Sequence, residues 1–228
     1  MKKHIFNRSV QFGISKKALI AMAITATFPA LALAGPSLGI GYSDIGLAGH
    51  SGRPGVSLSA GNLYSNNVIA SGNARIARGY YGFHADLGKL IPTGGTVSFE
   101  PYLSMGFLNL NYNQTEPGAV IATHPSPYFT QFVQTYYQQE QSIQDFYGLA
   151  GVNLNIPIGS RVALQFGGGY GHTLSTYGGG NGGAVYKGSA KVGFEIARHV
   201  TANINVSYLH VPGASMTSEG AGLAYHFS

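Results

Sequence analysis

The chain has 228 residues, with 13 Lys and Arg against 8 Asp and Glu, 34 Gly, no Cys and no Trp. The lack of Cys excludes a disulfide scaffold, a thiolate metal site and a lipid-modified cysteine. Five of the basic residues, Lys2, Lys3, Arg8, Lys16 and Lys17, fall in the first thirty-four, so the positive surplus belongs to that segment and is no argument for nucleic-acid binding.

Residues 1–34 read as a cleaved export signal. A basic n-region leads into the apolar run ALIAMAITATFPALA from Ala18, and Ala32-Leu33-Ala34 supplies the small-residue cleavage pattern before Gly35. The run falls short of the about 20 residues that a spanning helix needs. Residues 35–228 then form one domain by length. That domain is poor in charge and has no long apolar run, so its hydrophobicity lies in alternate positions.

In chain order, Leu38, Ile40 and Tyr42 share one parity and Ile45 and Leu47 the other, with a break near Ser43-Asp44. Val56, Leu58 and Ala60 begin a strand that runs to about Ala70. Ser71-Gly72-Asn73 reads as a turn, and the return strand to Leu87 carries Tyr81, Phe83, Ala85 and Leu87 outward, with Tyr80, Gly82, His84 and Asp86 inward. After the Pro92 to Gly95 turn, Val97, Phe99, Leu103, Met105 and Phe107 face out, with Glu100, Tyr102, Ser104 and Gly106 inward. The apolar parity then shifts to Leu110 and Tyr112, which predicts a bulge. Pro101 lies inside this strand and lacks a ladder donor.

Residues 113–142 are read as a loop rich in Gln, Tyr, Thr and Pro. Beyond it, Phe146 to Ile156 and Val162 to Tyr170 alternate around the turn at Pro157 to Ser160, with Tyr147, Gly167, Gly169 and Gly171 inward. A Gly-rich loop precedes the clearest hairpin, Ala184 to His210. Its apolar face, from Ala184 to Ile196, stands opposite a face carrying Lys187, Lys191, Gly193 and Glu195. Residues 211–217 read as a loop before the closing strand with Ala221, Leu223, Tyr225 and Phe227. Alternating segments of about ten residues with one apolar face match transmembrane barrel strands. Short connections at 89–95, 157–161 and 197–199 alternate with longer ones at 113–142, 172–183 and 211–217, which puts the longer set outside the cell.

The fold expected is all-β, an antiparallel up-and-down transmembrane barrel of eight strands from Val56 onward. Ten is the alternative, if residues 35–50 form two short strands broken at Ser43-Asp44 rather than a non-spanning N-terminal piece. The export signal, this alternation and the final strand GAGLAYHF resemble the small outer-membrane barrels of the OmpA, OmpX and opacity type, with a fainter similarity to the YfaZ family. The resemblance implies a Gram-negative outer membrane, contact with its lipid and lipopolysaccharide, and insertion by the barrel-assembly machinery. The aromatic that normally ends such chains is here penultimate, Phe227 before Ser228.

Inward Asp86, Glu100, Lys187, Lys191 and Glu195, together with Arg161, are candidates for interior charges. In an eight-stranded barrel, which its own side chains just fill, they pair with one another and leave no open pore. Asp86 and Glu100 across one hairpin form a possible carboxylate pair, and a narrow channel for small solutes is the other use of such an interior. His210, Ser215 and Glu219 are the residue types of the outer-membrane lipid A deacylases, but the close H-x-S-N pattern of those enzymes is absent. Tyr128, Phe129, Phe132, Tyr136 and Tyr137 make the loop 113–142 a candidate surface for an extracellular partner. The seven His residues after position 34 show no metal-ligand spacing, and the Gly-rich run lacks the Lys and helix of a phosphate loop, so no cofactor or metal is expected. The function these features imply is a structural or surface-contact role in the envelope.

Overall fold

The computed structural model describes residues 35–47, 52–126, 129–178 and 182–227, with side chains for all of these except 114–115, 122–126 and 129–131. The export signal expected over 1–34 lies outside the described residues, as do Tyr128 and Ser228.

Eleven strands follow one another: β1 Gly35–Leu47, β2 Arg53–Leu63, β3 Val68–Ala77, β4 Tyr80–Lys89, β5 Ile91–Pro92, β6 Ser98–Ser126, β7 Phe129–Ile158, β8 Val162–Gly178, β9 Ala184–Ala197, β10 Val200–Val211 and β11 Ala214–His226. All pair antiparallel in sequence order. β1 pairs with β11 and β4 with β6, so ten strands close a barrel and two-residue β5 is a flap on β6.

The expectation of eight strands is therefore wrong, for two local reasons. Residues 53–89 hold three strands, because Ser71-Gly72-Asn73 runs through the middle of β3. The chain instead reverses at 64–67, where Asn66 Oδ1 accepts the Val68 N–H at 3.2 Å and Asn67 has a φ of 63°. It reverses again at Arg78-Gly79, where Gly79 takes the left-handed φ of 66° that a tight turn requires. Residues 35–47 form a complete strand, in unbroken register from Ser37↔His226 to Leu47↔Met216.

Neither phase break is a backbone irregularity. Leu38, Ile40 and Tyr42 point outward, and Ile45 and Leu47 on the opposite parity are buried inside. Likewise β6 keeps register with β7 through Phe107↔Phe146 and Leu108↔Asp145, with no bulge, and Leu108 and Leu110 are buried inward. In both strands the apolar residues change sides because the lumen itself turns apolar at that end. Pro101 stands between the last β4–β6 pair, Gly88↔Tyr102, and the β5–β6 pair Ile91↔Phe99, so the missing donor falls where the ladder on that side is already interrupted.

Every barrel strand exposes large apolar side chains outward: Ile40, Leu58, Ile76, Leu87, Leu103, Val152, Phe166, Phe194, Ile204 and Leu223 form a belt right around the molecule. A belt of that extent marks a surface that meets lipid, and a closed barrel leaves no strand edge unpaired there. Aromatic rings bound it. Tyr170, Tyr186 and Tyr208 lie toward one end, and Phe99, Tyr225 and Phe227 toward the end where residues 35 and 227 meet.

Residues 211–217 contain only a tight turn at Pro212-Gly213, and 172–178 is strand throughout. The asymmetry between the two ends resides instead in 113–142, which is a ribbon of paired strand and not an irregular loop. β4 leaves β6 at Leu110 and β8 leaves β7 at Ile143, after which β6 and β7 pair only with each other up to Ser126↔Phe129. At about 3.4 Å per residue the ribbon projects roughly 50 Å.

Candidate functional site

Side chains on the inward parity sort by height. Nearest residues 35 and 227, Thr201 Oγ1 lies 3.1 Å from His226 Nε2. Above them Glu100 accepts from the amides of Asn155, at 3.3 Å, and Gln165, at 3.4 Å, and Gln165 also reaches Asn155 Oδ1 at 2.8 Å. At mid-height two links span the barrel. Lys187 Nζ on β9 lies 3.6 Å from Asp86 Oδ2 on β4, and Arg75 Nη1 on β3 donates to Ser207 Oγ on β10 at 3.1 Å. Ser71 and His84 also crowd the Asp86 carboxylate, at 3.2 and 3.7 Å, and the Lys187 ammonium sits 5.5 Å from the centre of the Tyr102 ring.

These groups surround a cavity of about 220 Å³ that reaches from Ser37 and Ala224 up to Tyr80, Tyr147 and Leu209. Three cations, Arg75, Lys187 and Lys191, line it against two carboxylates, Asp86 and Glu100. Above it the lumen is packed with apolar side chains: Ile45, Leu47, Leu108, Leu110, Ile143, Val185, Val211 and Met216. Inside this cap lies Asp145, fully buried, with neither carboxylate oxygen hydrogen-bonded.

The inward tyrosines fill spaces that glycine leaves. A Cβ on Gly106 would overlap the Tyr147 ring, one on Gly82 the Tyr80 hydroxyl, and one on Gly151 the Tyr102 ring. Inward Gly167 and Gly171 are likewise closed off, by Asn153 and Leu149. Those glycines therefore mark close packing.

The structure brings Asp86 and Lys187 together but does not join Asp86 to Glu100, since each carboxylate has its own partners. Lys191 is inward and lines the cavity. Arg161 is not an interior charge: it sits exposed in the β7–β8 turn. Glu195 keeps the inward parity but is exposed at the rim on the side of residues 35 and 227. Arg75 escaped the sequence reading because it follows the residues read as a turn. Its parity with Ser71 and Asn73 was the available signal.

On the outer wall, the hairpin β10–β11 places His210 directly opposite Ser215, with His210 Nδ1 2.8 Å from Ser215 Oγ. Tyr208 donates its hydroxyl to the same Ser215 Oγ at 3.3 Å, and the Tyr186 ring lies 5.4 Å from the imidazole. Glu219 does not join them. It lies four residues along β11, opposite Asp44 on β1 and Val206 on β10. Of the ribbon aromatics, Phe132, Tyr136 and Tyr137 are exposed; Phe129 has a described backbone only. Among the described residues no group of three or more His, Asp or Glu is placed to hold a metal ion.

No family model matches the chain, and no curated protein does. Among solved structures, the NanC porin is similar at 9% identity and a TM-score of 0.47, covering 83% of this chain and 100% of its own. The KdgM porin is similar at 12% identity and a TM-score of 0.40, with 83% and 99% covered. The translocator domain of the autotransporter NalP from Neisseria meningitidis is similar at 12% identity and a TM-score of 0.42, with 92% and 94% covered. By its own strand pairing and its outward apolar belt the chain is a closed antiparallel β-barrel of ten strands, and its function rests on its own residues.

Proposed function

We propose that the protein is a narrow channel for small polar solutes in a Gram-negative outer membrane, with its ribbon outside the cell and its termini in the periplasm. The observation that carries this reading is the charged cavity on the axis of a ten-stranded barrel. The expectation of a self-filled interior without a pore depended on eight strands, and ten give a wider lumen. The surplus of cations around the cavity favours anions. The apolar cap is a constriction that closes by excluding water, and wetting it opens the path.

Conductance in a planar bilayer tests this. The wild type should give small, intermittent steps, and Leu108→Ser with Leu110→Ser should lengthen the open time several-fold. Lys191→Gln should shift selectivity toward cations. Silence from both the wild type and the double variant overturns the channel.

A second reading, surface contact, is favoured by the ribbon, which holds Phe132, Tyr136 and Tyr137 exposed beyond the barrel. Replacing residues 113–140 with a tight turn should leave conductance intact and abolish adhesion of cells that display the protein. Unchanged adhesion would remove this role.

A further inference from the structure

From the outer wall of β10 and β11 we infer a second activity, independent of the lumen: hydrolysis of acyl esters in the surrounding membrane, with Ser215 as nucleophile and His210 as its base. Three observations converge on it. The first is the hydrogen-bond chain itself. Ser215 Oγ accepts from Tyr208 Oη at 3.3 Å and lies 2.8 Å from His210 Nδ1, and with the imidazole proton on Nε2 the serine hydroxyl donates to Nδ1. That is the arrangement in which an imidazole withdraws the proton from an attacking hydroxyl. The second is orientation. The His210 ring packs against Tyr186, which packs in turn on Tyr170 with centroids 5.5 Å apart, so the row of rings holds the imidazole facing Ser215.

The third is depth. His210, Tyr208 and Ser215 point away from the lumen, toward lipid. Ile204 and Val206 lie on the apolar belt below them, and the Pro212-Gly213 turn ends the barrel just above. Tyr170, Tyr186 and Tyr208 are the aromatic girdle of that end, the level where hydrocarbon gives way to headgroups. Acyl ester linkages lie at this level, so a lipid diffusing in the leaflet brings its carbonyl to Ser215 without leaving the membrane. On this wall the two side chains bond to each other.

In the reaction, Ser215 Oγ attacks the ester carbonyl carbon while His210 takes the hydroxyl proton. Collapse of the tetrahedral intermediate breaks the ester C–O bond, and His210 returns the proton to the departing alcohol. Water from the headgroup layer then hydrolyses the acyl-serine by the same route, releasing a fatty acid. The Tyr208 hydroxyl, 3.3 Å from Ser215 Oγ, is within reach to donate to the oxyanion as it forms. Among the described residues no carboxylate is hydrogen-bonded to the histidine, which points to slow turnover.

The test uses the full chain in vesicles whose outer leaflet holds either lipopolysaccharide or phosphatidylethanolamine alone, with released fatty acid measured by mass spectrometry. Fatty acid should appear in at least one arm, and the arm that responds separates the two lipid sources. Release should fall at least 100-fold in Ser215→Ala and in His210→Asn, and about 10-fold in Tyr208→Phe. A fluorophosphonate probe should label Ser215 in the wild type and fail to label the protein in His210→Asn. A boiling-dependent gel shift verifies that each variant is folded. No release in either arm with no labelling of Ser215, or release that persists in folded Ser215→Ala, overturns the proposal. Single-channel conductance of Ser215→Ala, measured alongside, reports on the channel separately.

Discussion

Lys187 on β9 and Asp86 on β4 face each other at 3.6 Å across the lumen, although three strands separate them on one side of the ring and five on the other. The pair is a strut that fixes the width of the barrel at mid-height, seconded by Arg75 and Ser207 at 3.1 Å. Each partner retains only about 15% exposure, so water offsets little of the cost of orphaning either one.

Removing one end of the strut should cost more than removing both. Lys187→Met and Asp86→Asn are each expected to destabilise the barrel by roughly 1–3 kcal/mol, below a fully dry pair, and the double variant by less than their sum. Urea titration of the four proteins in lipid vesicles measures the coupling. Additive losses would show that the strut contributes nothing.

The glycine sockets predict a paired result. Gly106→Ala drives a methyl into the Tyr147 ring and should lower stability by about 1–3 kcal/mol. Tyr147→Leu in the same chain removes the clash and should recover part of the loss. The temperature at which the gel shift disappears orders the three variants.

Asp145 should be a liability to the folded state. Its carboxylate is buried in the apolar cap with both oxygens unbonded, and Asp145→Leu is expected to gain about 1–3 kcal/mol. The same change makes the cap drier, so the channel steps should become rarer. A destabilised variant would show that the carboxylate has a partner the fold relies on.

Closure by β1 can be trapped chemically. Tyr42 and Ala221 are register partners on the outer face, and cysteines at both positions should oxidise to an intramolecular disulfide that alters gel mobility until reduced. Failure to cross-link, with each single cysteine still reacting with maleimide, would leave β1 outside the barrel.

The sequence by itself determined the barrel. Alternation along Ala184 to His210 needs only the two-residue period of a strand, and the apolar belt follows wherever one parity meets lipid. It also assigned Asp86, Glu100, Lys187 and Lys191 to the inward parity, because parity is a local property. It could not count strands: a Ser-Gly-Asn triplet serves equally in a turn and on a small-residue stretch of β3. Only pairing with β2 and β4 on either side decides which. Nor could it explain why apolar residues change parity at Ile45 and Leu108, since the reason is a cap assembled from strands far apart in the chain. The partners of each charge, and the meeting of His210 with Ser215, were likewise decided only in three dimensions. Turning 211–217 from a loop into a two-residue turn set the register of β10 against β11, and register alone brings those two side chains within 2.8 Å.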